Sequence, residues 1–378
     1  MRFERRRRPS AHFHRWRRVI GMSKHGATCD RTDRSASHDA EDVVIRSWRP
    51  GDTPAINAFY NDPAIRPAAG AKGAMPRSQE QWSWEFSPRG LPPTGYGVAT
   101  SGGRIVGIQA YIPLTMRLGS ELVLTGKDED TLVHPDYRGR GILDRLYEMI
   151  IECAGQSGVA MLWGFTNTAV RPLLRNGFRS LGTFDSMTLT VGSGGGHGAL
   201  AGGREVTVEE IKSPDARMDR FAELFASQSG GMGLDLSAEF LRWRVFKNPF
   251  RAYKVFAAVE GGDIVGVGVF KAEPQRRTGY VSDLAALSDA GPGLRAIQCG
   301  LLAAGIDYFK SQGFPIVEAR AAGDHRYNRE LRSLLADVGF NRVTVANPPE
   351  FLVRPVAMDS PAVLDMANWR ICELMREY

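Results

Sequence analysis

From Val43 onward apolar and polar positions recur with regular spacing, and that spacing predicts an ordered series of elements. The run Val43 to Trp48 reads as a strand; Arg49-Pro50-Gly51-Asp52 then leads into helical spacing over Pro54 to Tyr60, with Asp52 or Thr53 as cap and proline in the first turn. Tyr96 to Thr100 and Arg104 to Pro113 flank Ser101-Gly102-Gly103 and read as a hairpin. Leu122 to Val133 is a longer strand, with an interruption expected near Thr125-Gly126 and a stop at Pro135, which cannot donate to a ladder. Ile142, Leu146, Ile150 and Cys153 fall at i, i+4, i+8 and i+11 with charged residues between them, an amphipathic helix running to about Ala154. Ala160 to Phe165 is a continuous apolar run of buried-strand type. Thr166-Asn167 is expected to cap a helix to about Arg175, and Asn176-Gly177-Phe178 turns into a strand from Leu181 to Val191.

Residues 192–204 are glycine-rich and read as a linker. Beyond them the chain repeats itself. Trp84 precedes Gly102-Gly103-Arg104-Ile105-Val106-Gly107 by 18 residues, and Trp243 precedes Gly261-Gly262-Asp263-Ile264-Val265-Gly266 by the same 18. Gly177-Phe178 recurs as Gly339-Phe340, and Asp130-Thr131-Leu132 has a counterpart in Asp283-Leu284-Ala285. Self-similarity at one long period signals a duplicated architecture.

The chemistry concentrates between Val133 and Leu143. Arg138-Gly139-Arg140-Gly141 joins a strand end to a helix start, where glycines let backbone approach a ligand and free N–H groups face an anion. Arginine forks suit phosphate oxygens. Arg138-x-x-Gly141-x-Leu143, after Val133-His134-Pro135, resembles the acyl-CoA pyrophosphate loop of the GNAT superfamily of N-acetyltransferases. That pattern is Gln/Arg-x-x-Gly-x-Gly/Ala, from which Leu143 departs at the last position. No Gly-x-Gly-x-x-Gly after a strand and no Gly-Lys-Ser/Thr points to a dinucleotide or ATP loop.

The resemblance implies an α/β (α+β) chain of two tandem acyl-CoA N-acyltransferase folds, each a mixed, largely antiparallel sheet flanked by helices. The implied domains are a basic disordered tail over 1–42, an acetyl-CoA-binding domain over 43–191, the linker, and a second GNAT-like domain over 205–378. The second copy reads Ser288-Asp289-Ala290-Gly291-Pro292-Gly293-Leu294 where a phosphate loop belongs, so its cofactor site is expected to be lost.

Charge narrows the partners. The first 21 residues hold eight arginines and one glutamate, more than the whole chain's net +6, so the remainder is close to neutral and histone or nucleic-acid acceptors are not expected. No apolar run approaches the ~20 residues that span a bilayer, so no membrane partner is expected. Cys29, Cys153, Cys299 and Cys372 show neither a disulfide framework nor Cys-x-x-Cys zinc spacing, which reads as a reducing, cytoplasmic setting without metal.

By the resemblance, acetyl-CoA is the co-substrate. Its diphosphate falls to Arg138, Gly139, Arg140, Gly141, Ile142 and Leu143, its pantetheine arm to the backbone of Leu132 and Val133, and Asn167 is a further cofactor-facing candidate. The acceptor is a primary amine, an ammonium at pH 7, which needs a base within hydrogen-bond reach. Asp128, Glu129 and Asp130 are the candidates; alternation puts Asp128 and Asp130 on one face, and a bulge would swap them. The family's thiolate-protonating tyrosine falls at Leu173 here, leaving Tyr137 and Tyr147 as alternatives. The implied reaction is acetyl transfer to an amino sugar, an aminoglycoside or a similar small amine. The alternatives are a non-catalytic CoA-binding regulatory module and a tandem-fold aminoacyl-tRNA-dependent peptidyltransferase.

Overall fold

The computed structural model describes residues 43–66, 76–87, 89–192, 206–289, 293–358 and 360–376. The basic tail and nearly all of the glycine linker lie outside the described residues.

In the first half, strand β1 (Val44–Ser47) leads to helix α1 (Thr53–Asn61) and α2 (Gln79–Phe86), then strands β2 (Gly95–Ser101), β3 (Arg104–Leu118) and β4 (Glu121–Val133). Helix α3 (Ile142–Gln156), strand β5 (Met161–Thr166), helix α4 (Val170–Arg175) and strand β6 (Arg179–Thr190) complete it. The pattern of apolar residues anticipated all of these but α2, whose residues carry Trp82 and Trp84 without a clean helical stripe. Ser78 caps α2 by accepting from Gln81 N at 3.0 Å. Asp52 does not cap α1 with its side chain; it is bound instead by Arg46 and by Arg49 N. Nor does β4 break at Thr125-Gly126, where the pairing with β3 is continuous; the irregularity lies between Ile108 and Ala110 of β3, opposite Asp130 and Thr131.

Helix α3 buries Ile142, Leu146, Ile150 and Cys153, the stripe read from the sequence. It sits close to the sheet because Gly97 and Gly107 offer no side chain: a Cβ at Gly107 would lie 3.2 Å from Ile142 and 3.3 Å from Leu146. Burying such a side chain stabilises the fold by roughly 1.5–3 kcal/mol, so this stripe fixes where the helix start lies.

The second half repeats the order with β7 (Val206–Ile211), α5 (Ala216–Ser229), β8 (Met232–Leu234), α6 (Ala238–Leu241), β9 (Ala252–Glu260), β10 (Asp263–Glu273) and β11 (Thr278–Ala286). Helix α7 (Leu294–Ser311), β12 (Ile316–Ala322), α8 (Arg326–Val338), β13 (Asn341–Val343), β14 (Glu350–Pro355) and α9 (Glu373–Arg376) follow. Repeat-equivalent tryptophans meet: Trp84 and Trp243 stack with centroids 5.4 Å apart.

One sheet runs through both halves in the order β1-β2-β3-β4-β5-β14-β6-β12-β11-β10-β9-β7. The halves exchange their last strands. Strand β14, from the second half, pairs antiparallel with β5, and β6 crosses to pair with β12. A continuous apolar core follows, in which Trp163 of β5, Phe351 of β14 and Trp369 are all fully buried. Cys299 and Cys372 are free thiols, whereas Cys153 is disulfide-bonded, which cysteine spacing did not anticipate.

Candidate active site

The loop after β4 is shaped by its glycines. A single 3-10 turn, Pro135–Tyr137, ends the strand, with His134 Nδ1 accepting from Asp136 N at 3.3 Å. Gly139 and Gly141 then take φ values of +76° and +70°, which side chains rarely adopt, while a Cβ on either would meet nothing within 4 Å. Conformation rather than crowding therefore calls for glycine. Gly141 caps α3 without a side chain, and the first helical bond runs from Arg145 N to Gly141 O at 3.2 Å. The leading N–H groups of the helix have no side-chain cap and carry the positive end of its dipole. Arg138 and Arg140 are exposed beside them: Arg138 Nε donates to Val133 O at 3.1 Å, and Arg140 Nη2 to Asp136 O at 2.9 Å. Ile142 is buried under the loop and Leu143 half-buried.

Strand β4 is parallel to β5 for only two rungs, Gly126↔Leu162 and Lys127↔Trp163. Beyond them β5 continues against β14, and β4 runs on to Val133 paired only with β3. A parted edge therefore opens from Asp128 to Val133 and includes Leu132 and Val133. It ends at the glycine loop.

The bulge decides where the three acids point. Asp130 takes φ +55°, unusual for a residue with a side chain, and leaves the face that strict alternation assigned to it. Asp128 faces α3, where Tyr147 Oη donates to it at 3.1 Å, Gln109 Nε2 at 2.7 Å and Thr131 Oγ1 at 3.2 Å. Burial pushes its pKa up to about 7, against the opposing effect of the Tyr147 and Thr131 hydrogen bonds. Gly164 of β5 closes round it; a Cβ there would lie 3.0 Å from that of Asp128. Asp130 instead faces α1 and α2, bound by Arg77 Nη1 at 2.8 Å to both oxygens and by Tyr96 Oη at 2.5 Å. Arg77 is further held by Asn57 at 3.1 Å and lies over the Tyr60 ring at 3.6 Å. The expectation that Asp128 and Asp130 share a face is thus corrected, and Asp130 is committed to a buried ion pair.

Glu129 also faces away from α3 and is paired with Lys127. Lys127 is 3% exposed. Burial first, and Arg244 of the second half next, push its pKa down to about 7, opposed by Asp128, Glu85 and Asp130. The sequence reading missed Lys127, although its i, i+2 spacing to Glu129 already placed the two on one strand face.

Asn167 is exposed and donates to Asn347 O at 3.1 Å. It does not cap α4: Thr166 Oγ1 accepts from Thr168 N and Ala169 N at 3.2 and 3.0 Å. Leu173 is buried and has no proton to give, but Tyr147, resting edge-on against Phe178 at 5.6 Å, occupies the helix side of Asp128. Tyr137 Oη reaches Ser101 Oγ at 3.5 Å.

The second half parts its strands in the same place, with β11 and β12 parallel only from Thr278↔Ile316 to Val281↔Ala319. There the opening is filled by the chain itself. The Tyr327 hydroxyl and Gln298 Nε2 both donate to Leu284 O, and Arg370 binds Asp283 at 2.7 Å. Gln228 Oε1 accepts from Ser288 N at 2.8 Å at the loop that follows.

Parted parallel strands beside an uncapped, glycine-led helix start define the class of acyl-CoA N-acyltransferase folds, here in tandem. Residues 69–178 match the family model of an acetyltransferase (GNAT) domain. Solved structures agree on the fold. A GCN5-related N-acetyltransferase from Kribbella flavida is 17% identical with a TM-score of 0.57, covering 85% of this chain and 72% of that one. A tandem GNAT protein from the clavulanic acid biosynthesis pathway is 17% identical with a TM-score of 0.58, covering 84% of this chain and all of that one. The N-myristoyltransferase of Saccharomyces cerevisiae with bound myristoyl-CoA is 12% identical with a TM-score of 0.57, covering 85% of each chain. No curated protein sequence matches.

No helix among the described residues is long and apolar enough to cross a membrane, and no group of metal-ligating side chains occurs among them.

Proposed function

We propose that the protein transfers an acetyl or longer acyl group from CoA to the primary amine of a small molecule, an amino sugar or aminoglycoside being the class in mind. The observation that carries this reading is the meeting, at one end of β4, of an unpaired strand edge, a glycine loop with positive φ and an uncapped helix start flanked by Arg138 and Arg140. These residues suit acyl-CoA: the N–H groups of Ile142 and Leu143 and the two arginines face a diphosphate, and Leu132 and Val133 offer backbone groups to pantetheine amides. CoA supplies the activated thioester.

The chain's residues then divide the proton work by face. Glu129, with a side chain 27% exposed on the face away from α3, is placed to take the proton of an incoming ammonium. Asp128, whose pKa burial pushes up to about 7, and Tyr147 lie on the helix side and suit protonation of the departing thiolate. Asp130, locked to Arg77, positions the bulge that separates these faces. In the second half the chain's own side chains fill the equivalent opening, so one acyl-CoA per chain is expected.

The test is a thermal melt with and without acetyl-CoA on wild type and Arg138→Ala, followed by CoA-thiol release with a panel of amines and acyl chain lengths. Saturation at a hundred times Kd adds about 2.7 kcal/mol to a binding fold. Loss of one charged hydrogen bond in Arg138→Ala should weaken binding by about 1.5–3 kcal/mol. An unshifted melt in both proteins would reduce the loop to an ordinary turn.

A further inference from the structure

Lys127 occupies a singular place in the sheet. It forms the last rung between β4 and β5, opposite Trp163, at the apex where the strands part. Its side chain leaves on the face opposite Tyr147 and α3, 4% exposed, with the 27% exposed Glu129 in front of it. An ion pair built only for stability has no need to graduate from a buried amine to a half-open carboxylate at the apex of a cleft. The charges gathered round it come from three elements: Asp128, Glu129 and Asp130 of β4, Glu85 of α2, and Arg244 of the second half. Arg77 joins Glu85 and Asp130 on the same side, at 3.8 and 2.8 Å. Arg244 is fully buried, on the π-helical turn Arg242–Phe246, with its guanidinium 5.9 Å from the Trp84 ring.

We propose that Lys127 and Glu129 form a proton relay on the acceptor side of the cleft, with Glu129 taking the proton from the incoming ammonium and Lys127 Nζ storing it. The inference rests on the acyl-transfer reading. In the step, an N–H bond of the ammonium breaks and its proton passes to the Glu129 carboxylate and on to neutral Lys127. The freed lone pair forms the C–N bond to the thioester carbon, the C–S bond breaks as the nitrogen gives up its second proton, and the thiolate takes up one proton, so these two cancel. Lys127 then returns its proton to solvent, so the cycle is proton-neutral apart from the ammonium's own proton. Glu129 touches the acceptor. Lys127 acts through it, as a positioning and storage residue.

The discriminating variant is Lys127→Arg, which keeps a cation beside Glu129 but cannot deprotonate near neutrality. Lys127→Met and Arg244→Met complete the set, with melting temperature and acetyl-CoA affinity measured on each. Two readouts are used: kcat/KM for CoA-thiol release with acetyl-CoA and the best amine of the panel across pH, and the NMR titration of [ε-13C]lysine-labelled full-length protein, with the Lys127 signal assigned by its loss in Lys127→Arg. The relay predicts a Lys127 midpoint close to neutrality that moves up in Arg244→Met, carrying the acidic limb of the pH profile with it. It also predicts a kcat loss of about a hundredfold or more in Lys127→Arg, the scale of general base catalysis, with acetyl-CoA affinity kept. A Lys127 midpoint above about 9, or an Arg variant that turns over like wild type, overturns it. Wild-type protein that releases no thiol with any amine would sink the acyl-transfer reading itself, and the relay with it. Normal wild-type release with an undiminished Lys127→Arg rate sinks the relay alone.

Discussion

Asp128 and Lys127 are neighbours in the chain whose side chains leave β4 on opposite faces, and burial draws both pKa values towards about 7 from opposite directions. The consequences for stability have opposite signs. Asp128 binds its proton more tightly folded than unfolded, so its stabilisation is full below about pH 4 and is lost as the pH rises through 7. Lys127 binds its proton less tightly folded, so its stabilisation is full above about pH 10 and is lost as the pH falls through 7. The pair's joint contribution is therefore smallest near neutrality. Urea midpoints across pH 4 to 7 should show a shallower decline in Asp128→Asn than in wild type; equal slopes would contradict the assignment. Tyr147→Phe removes a donor that holds the Asp128 pKa down, so the Asp128 carboxyl, followed by 13C NMR, should titrate higher than in wild type.

Among elements, the bulge in β4 does the most to organise the site, because it turns Asp130 away from Asp128 and into Arg77. Both members of that pair have side chains only 3% exposed. Breaking a buried pair leaves an uncompensated charge, so Asp130→Ala should cost about 3–5 kcal/mol in denaturant unfolding. A loss below 1 kcal/mol would mean that solvent reaches the pair. In the second half, His325 begins α8, its Nδ1 accepting from Tyr327 N at 3.2 Å, and the neighbouring Tyr327 fills the parted strands. Burial, then Arg370, pushes the His325 pKa down to about 4. Its neutral form thus stabilises the fold above about pH 6.5, and that contribution is lost as the pH falls towards 4. The melting temperature of His325→Gln should decline less over that interval than that of wild type.

For the whole molecule, the exchange of β6 and β14 makes each half depend on the other. Residues 43–191 alone would leave Met161, Leu162 and Trp163 of β5, all fully buried in the intact chain, at an open strand edge. Cutting the chain at the glycine linker should give a first half that aggregates or fails to melt cooperatively, whereas the intact protein melts in one transition. Two soluble halves with separate cooperative melts would contradict the exchange. The Trp84–Trp243 stack, which involves α2, and the Arg117–Asp235 pair at 2.6 Å tie the halves together again.

How much of this was legible follows from the range of each interaction. The glycine loop before α3, the α3 stripe and the hairpin at Gly102-Gly103 are local, set by spacing, helix starts and positive φ, and a linear reading finds them. The doubling was legible too, because Trp84 and Trp243 keep their distances to matching turns. Helix α2 was not, since its burial is decided by Trp48, Tyr96 and Trp243, which are distant in sequence. The same limit hid the roles of the three acids: one inserted residue reverses a strand's faces, and no pattern of period two reveals it before the strand is paired. The sequence by itself thus determined the class of fold and the glycine-led helix start after β4, because both rest on residues within a few turns of one another. Only the tertiary structure decided that Asp130 belongs to Arg77, that Lys127 lies under the influence of Arg244, and that each half completes the other's sheet, because charges and strand edges find their partners across the chain only once it has folded.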